Sequence, residues 1–176
     1  MKIVAFGASN SKNSINKRLA TYAASLLDGA QTEVLDLNDF ELPLFSEDKE
    51  KEIGQPQLAI DFFEKLGQAD AIVVSFAEHN GSYTAAYKNL FDWASRINQK
   101  VFQDKPTVYL STSPGPGGAS SILETAKNAA PFFGVNLKAS MSVPSFYDNF
   151  DTETGALRAP ELMAQLTLIV HKLNSN

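Results

Sequence analysis

Strand-like and helix-like segments alternate along this chain from end to end, and that alternation limits the fold more than any single motif does. It is the pattern of a parallel sheet covered by helices on both faces. Lys2 to Phe6 reads as a first strand, and Ile15 to Leu27 as a helix with Ile15, Leu19, Tyr22, Ala23, Leu26 and Leu27 at helical spacing, stopped by Asp28-Gly29. Thr32 to Leu37 is a second strand, Leu58 to Leu66 a short helix, and Ala71 to Phe76 a third strand whose unbroken apolar run suits the middle of a sheet. Tyr83 to Ile97 places Tyr87, Leu90, Phe91 and Ala94 on one helical face. Pro106 to Ser111 is a fourth strand, Gly118 to Phe133 a fourth helix and Leu137 to Val143 a fifth strand; Pro160, at a first helical position, opens a last helix to Leu173. Five strands and five helices in 176 residues, 44% of them hydrophobic, predict one domain over residues 1–176. The run Glu47 to Glu52 is the only compositional anomaly and reads as a solvated loop, with a lid over a site as the alternative.

In a doubly wound sheet the loops leaving strands one, three and four gather where the strand order reverses, and that edge is where such sheets bind ligands. All three loops are unusual here. The first, Gly7 to Asn16, concentrates hydroxyls and amides at a helix start, where backbone N–H groups and the helix dipole favour an anion. It has neither the Gly-x-Gly-x-x-Gly of dinucleotide sites nor the Gly-Lys-Ser/Thr of nucleoside triphosphatases. Simple capping by Asn13 or Ser14 accounts for one such residue rather than six. The second, Glu78-His79-Asn80-Gly81-Ser82-Tyr83, delivers polar side chains and a turn to the end of the most apolar strand. The third, Ser111 to Ala119, is rich in glycine and proline and fits either a tight turn or a backbone that comes close to a ligand. A phosphate at one end and a planar ring at the other describe a mononucleotide, and flavin mononucleotide is the one that also carries redox chemistry.

Composition narrows the chemistry. Without cysteine there is no disulfide, thiolate metal site or thiol nucleophile, and with only His79 and His171 a structural zinc site is not expected, so redox chemistry has to come from a cofactor. A net charge of −5 with no basic cluster argues against nucleic acid or an anionic membrane as partner. The apolar start of the chain is too short for a signal-peptide core and no run is long enough to cross a bilayer, so a cytoplasmic protein is expected.

These residues carry a family resemblance. Ser9-x-x-x-x-Ser14-Ile15-Asn16-x-x-Leu19-Ala20, then Glu78 to Tyr83, then Lys88-Asn89-Leu90-Phe91-Asp92-Trp93-Ala94-Ser95-Arg96, with Leu42-Pro43-Leu44-Phe45 and Ser113-x-x-x-Gly117-Gly118 in order, resembles the NADPH-dependent FMN reductases of the flavodoxin-like superfamily. The resemblance implies a three-layer α/β/α fold with five parallel strands in the order 2-1-3-4-5. It also implies bound FMN, NADPH or NADH as donor, and a small-molecule acceptor such as a quinone, free flavin or azo compound. A homodimer or homotetramer is the assembly it implies. Ser9, Ser11, Ser14, Ile15 and Asn16 would surround the FMN phosphate; Glu78, His79, Asn80 and Gly81 would line the ring, and Ser113 with Gly115 would close its other side.

The chain departs from the family at three places. Ser11 stands where arginine is usual, which removes a charged phosphate partner that Lys12 would have to replace; Ala77 stands for proline and His79 for tyrosine. His79 either sets an imidazole beside the ring or points to solvent with only its backbone engaged. No catalytic side chain is expected, since the flavin carries the chemistry; Glu78 and His79 would position it. Trp93 suits a subunit boundary or the core equally, Asp92 and Arg96 four apart suit a surface ion pair, and His171 suits a helix C-terminus. A flavodoxin-type electron carrier and a flavin-binding module without turnover are the other readings.

Overall fold

The computed structural model describes residues 1–174. Five parallel strands, β1 (Lys2–Ala8), β2 (Gln31–Leu35), β3 (Ala71–Phe76), β4 (Pro106–Thr112) and β5 (Asn136–Val143), lie in the order β2-β1-β3-β4-β5, as the resemblance implies. Strand residues alternate between two cores. Val4, Phe6, Ile72, Val74 and Tyr109 face α3 (Gln57–Gln68), α4 (Ala85–Ile97) and α5 (Ser120–Ala129), while Ile3, Ala5, Val73, Val108 and Leu110 face α1 (Ile15–Ser25) and α7 (Pro160–His171). All six β3 residues are buried, as the apolar run predicts for a central strand.

Several boundaries shift for local reasons. The second strand stops at Leu35 because the Asp36 side chain accepts the Asn38 N–H and starts a 3₁₀ turn, Leu37–Phe40. Thr84 caps α4, so Tyr83 precedes the helix instead of opening it. Pro131 has no N–H to continue α5, and Ala130–Phe133 follow as a 3₁₀ turn. The run Glu47 to Glu52 is not a loop: it forms α2 (Glu47–Ile53), capped by the Ser46 side chain on Lys49 N–H. Its Glu and Lys residues are good helix formers, and Arg96 of α4 anchors it through Glu50 at 3.0 Å. Arg96 therefore does not pair with Asp92, which takes Lys88 instead at 2.6 Å. A short α6 (Phe146–Asn149) and the two strands of a hairpin, β6 (Phe150–Asp151) and β7 (Ala156–Leu157), also lie outside the sequence expectations.

The register places Ala8 beside Phe76 and Phe76 beside Ser111, so the ends of β1, β3 and β4 are level and their loops share one edge. Gly7 makes the first of these joints possible: a Cβ there would lie 2.3 Å from the backbone nitrogen of Lys17, so only glycine lets α1 start this close to β1.

Candidate functional site

The first loop closes on itself. Ser11 N–H donates to Ser9 Oγ at 3.1 Å, Ser14 N–H to Ser11 O at 3.1 Å, and Ser14 Oγ accepts the Lys17 N–H at 3.1 Å as the cap of α1. That cap serves the third residue of the helix and leaves the N–H groups of Ile15 and Asn16 in the first turn, where a helix supplies no acceptor. Two free donors, a ring of hydroxyls and the positive end of α1 thus face the sheet edge.

The second loop is a hairpin turn. His79 N–H donates to Ser82 O at 3.0 Å and Ser82 N–H to His79 O at 3.1 Å, with Asn80 and Gly81 at φ 51° and 74°. Positive φ at both central positions is the type I′ pattern that Asn-Gly favours. His79 is exposed, and its backbone is engaged in this turn. Thr84 then ties the hairpin to the first loop by donating to Ala8 O at 2.9 Å.

Glu78 and Asn16 join the loops to one another. The Glu78 carboxylate accepts the Ile122 N–H at 2.9 Å, in the first turn of α5, and so caps a helix that begins beyond the third loop. Asn16, 2% exposed, donates from Nδ2 to Thr112 O at 3.1 Å and accepts at Oδ1 from Thr112 N–H at 3.1 Å and Ser75 Oγ at 2.7 Å. Its side chain uses three of its four hydrogen-bonding positions to pin α1 to the ends of β3 and β4, and its backbone N–H lies in the first turn of α1.

The third loop is folded against the segment before α6. Gly115 O accepts from Gly118 N–H and from Ser145 N–H, and Ser113 O accepts from Phe146 N–H at 3.0 Å. Gly118 is the glycine that packing demands, since a Cβ would lie 2.3 Å from Ser142 Oγ, whereas a Cβ on Gly115 meets nothing.

Together the loops enclose a crevice of ≈ 200 Å³ lined by eight of the eleven predicted residues, Ser9, Ser11, Ser14, Ile15, Asn16, Glu78, His79 and Ser113. Asn80, Gly81 and Gly115 are not in its wall; the first two form the tip of the turn, and Gly115 buttresses Ser145. Lys12 lies in the adjoining hollow with Lys17 and Arg18, outside the crevice. Lys17 is committed to Asp36, and that hydrogen bond, ahead of the opposing effect of burial, holds the Asp36 carboxyl below its usual range. Sequence reasoning missed Asn13, Ala77, Thr112, Pro114 and Tyr147 as wall residues. Tyr147, 59% exposed, arrives from α6 and carried no signal, because only the turn at Ser145, φ 45°, brings it to the edge. Trp93 is wholly buried and donates its indole N–H to Pro43 O at 2.7 Å, which holds the Leu42 to Phe45 segment inside the same chain.

The family model of the NADPH-dependent FMN reductases matches residues 1–148. An NAD(P)H-dependent FMN reductase of Pseudomonas aeruginosa is 28% identical over 170 residues, 94% of this chain and 90% of that protein. An NADPH:quinone oxidoreductase of Arabidopsis thaliana is 34% identical over 125 residues, 69% of this chain and 62% of that one. Among solved structures, the flavoenzyme NAD(P)H:(acceptor) oxidoreductase of Paracoccus denitrificans superposes with a TM-score of 0.77 at 24% identity, covering 98% of this chain and 94% of that one, a likeness of fold.

Proposed function

The chain belongs to the NADPH-dependent FMN reductase family, and from that premise we propose that its crevice holds FMN in an NAD(P)H-dependent oxidoreductase that reduces a small-molecule acceptor such as a quinone, free flavin or azo compound. The observation that carries the reading is the start of α1, where two N–H groups without helical acceptors lie among the hydroxyls of Ser9, Ser11 and Ser14. That donor set fits a phosphate. When bound, FMN supplies two-electron chemistry that no side chain of a cysteine-free chain can perform.

What the residues themselves do is bind and orient. Ser9, Ser11, Ser14, Ile15 and Asn16 hold the phosphate, the last two through their backbone. With serine at position 11, that grip consists of neutral donors together with the helix dipole, and the dipole alone is worth up to about 2 kcal/mol where partly buried. Glu78 positions the ring end: by capping α5 it fixes the hairpin of His79, Asn80, Gly81 and Ser82 relative to Ser113 across the crevice. No general base is assigned, because Glu78 is already engaged with Ile122 and the protein's task is alignment.

We place the enzyme in the cytoplasm as a homodimer or homotetramer. The family to which the chain belongs supports that assembly, and among the described residues no helix is long and apolar enough to cross a membrane. The net charge of −5 supports small molecules over nucleic acid as partners.

The test is spectroscopic. Purified protein incubated with FMN and desalted is expected to keep a yellow chromophore that bleaches when NADPH or NADH is added without oxygen, and to recover its colour with benzoquinone. Loss of the chromophore on desalting contradicts the flavin site; a chromophore that neither nucleotide bleaches points to an electron carrier or a module without turnover.

A further inference from the structure

On the face of the sheet covered by α3 to α5, α4 and α5 part over β3 and β4 to leave a cavity of ≈ 320 Å³ that shares no lining residue with the crevice. Its wall is aromatic. Phe76 sits at the centre with ring centroids 5.5 Å from Tyr87 and 4.9 Å from Tyr109, both edge to face, and Phe91 meets Phe133 at 4.6 Å further along. The only charged residues in the lining, Lys88 and Asp92, neutralise each other at 2.6 Å on the rim, so nothing in the wall favours a charged occupant.

Tyr87 and Tyr109 are 4% and 3% exposed, and neither hydroxyl has a hydrogen-bond partner among the described residues. Among the described residues no fully buried side-chain oxygen or nitrogen lacks a partner, so both hydroxyls keep accessible surface, and both residues line the cavity. Half-buried Tyr83 stands next to them, 5.3 Å from Tyr87 between ring centroids. Burial raises all three phenols above their usual range, which keeps them neutral and able to donate. Pockets of this size and character, apolar with a few convergent polar groups, are where small ligands bind.

We propose that this cavity is a second ligand site for a small neutral aromatic compound carrying a carbonyl or phenolic oxygen, the ring lying against Phe76, Phe91 and Phe133 and the oxygen accepting from Tyr87 and Tyr109. The site stands whether or not the crevice holds FMN. An occupant would touch Phe76 and Tyr83, the residues on either side of the hairpin loop, and α5, which Glu78 caps from the crevice side.

Calorimetry with 1-tetralone as probe, and tetralin as the same frame without the oxygen, tests this on the protein as purified, with and without added FMN. The expected result is one tetralone per chain in both conditions, bound at least tenfold more tightly than tetralin, because a site built to hydrogen-bond an oxygen discriminates against its absence. The Tyr87→Phe/Tyr109→Phe pair should abolish that preference while leaving tetralin within twofold. Ala129→Trp, at the edge of the cavity, should weaken both compounds without changing FMN affinity, and it keeps the test open if the double variant does not fold. Absence of saturable binding, equal affinity for the two compounds, competition with FMN, or binding that emerges only when an oligomer is diluted apart, so that a second copy covers the cavity, would each overturn the proposal.

Discussion

The loop from Ser9 to Ile15 holds its shape with bonds between residues two or three apart, whereas the loop from Ala77 to Ser82 combines a local turn at Asn80-Gly81 with a carboxylate, Glu78, that reaches a helix 44 residues later. One end of the crevice is therefore built from its own sequence and the other from the way the sheet assembles. The difference separates two kinds of residue: those whose loss should weaken a ligand directly, and those whose loss should first loosen the frame.

Gly7 gives the largest expected effect, because it is where the local loop depends on the frame. Gly7→Val forces a side chain into the backbone at Lys17 and should cost about 3 kcal/mol in urea denaturation, with FMN binding lost alongside. Asn16→Ala comes next and sharpens the comparison: it strips partners from Ser75 and both backbone groups of Thr112, so stability should fall by about 2 kcal/mol. FMN affinity should fall less than about tenfold, as the Asn16 N–H remains. A large loss of affinity at unchanged stability would mean that the side chain, rather than the backbone, meets the phosphate.

Ser11→Arg moves the other way. A charged donor at the mouth of the first loop should tighten FMN by about 1.4 kcal/mol, roughly tenfold, and make binding more salt-sensitive without altering stability. Glu78→Ala removes the cap on α5 and should cost about 1 kcal/mol, with Glu78→Gln restoring most of it because an amide oxygen can still accept from Ile122. A fluorescence titration with FMN should show the same order for affinity, Gln above Ala. The smallest effect concerns Asp36, whose carboxyl is held below its usual range by Lys17 at the start of α1. Its contribution to stability is complete above the ordinary carboxylate range and disappears as pH falls through the depressed value, so Asp36→Asn should flatten the acid side of a stability profile against pH.

Much of this was readable from residues alone, for identifiable reasons. The alternation of segments needed only periodicity, a cap at Asn13 or Ser14 only residue type, with the structure choosing Ser14, and the turn through Gly81 only the residues of the loop. What could not be read depends on contacts between distant parts of the chain. Nothing near Asn16 announces Thr112, 96 residues away, and nothing near Tyr147 announces the bend at Ser145 that carries it to the crevice. The helix over Glu47–Ile53 was obscured by its charge: it buries no residue, so it has no apolar stripe, and it rests on a cap and on Arg96 instead. Gly7, conspicuous in the structure, looks in the sequence like any glycine at the end of a strand.

The central claim is that the crevice is an FMN site anchored at the start of α1 by the phosphate. Comparing FMN with riboflavin, which has the same ring and chain without the phosphate, tests it most directly. Fluorescence titration of the purified protein should give FMN at least about a hundredfold advantage, about 2.7 kcal/mol. Equal affinity for the two would contradict the account.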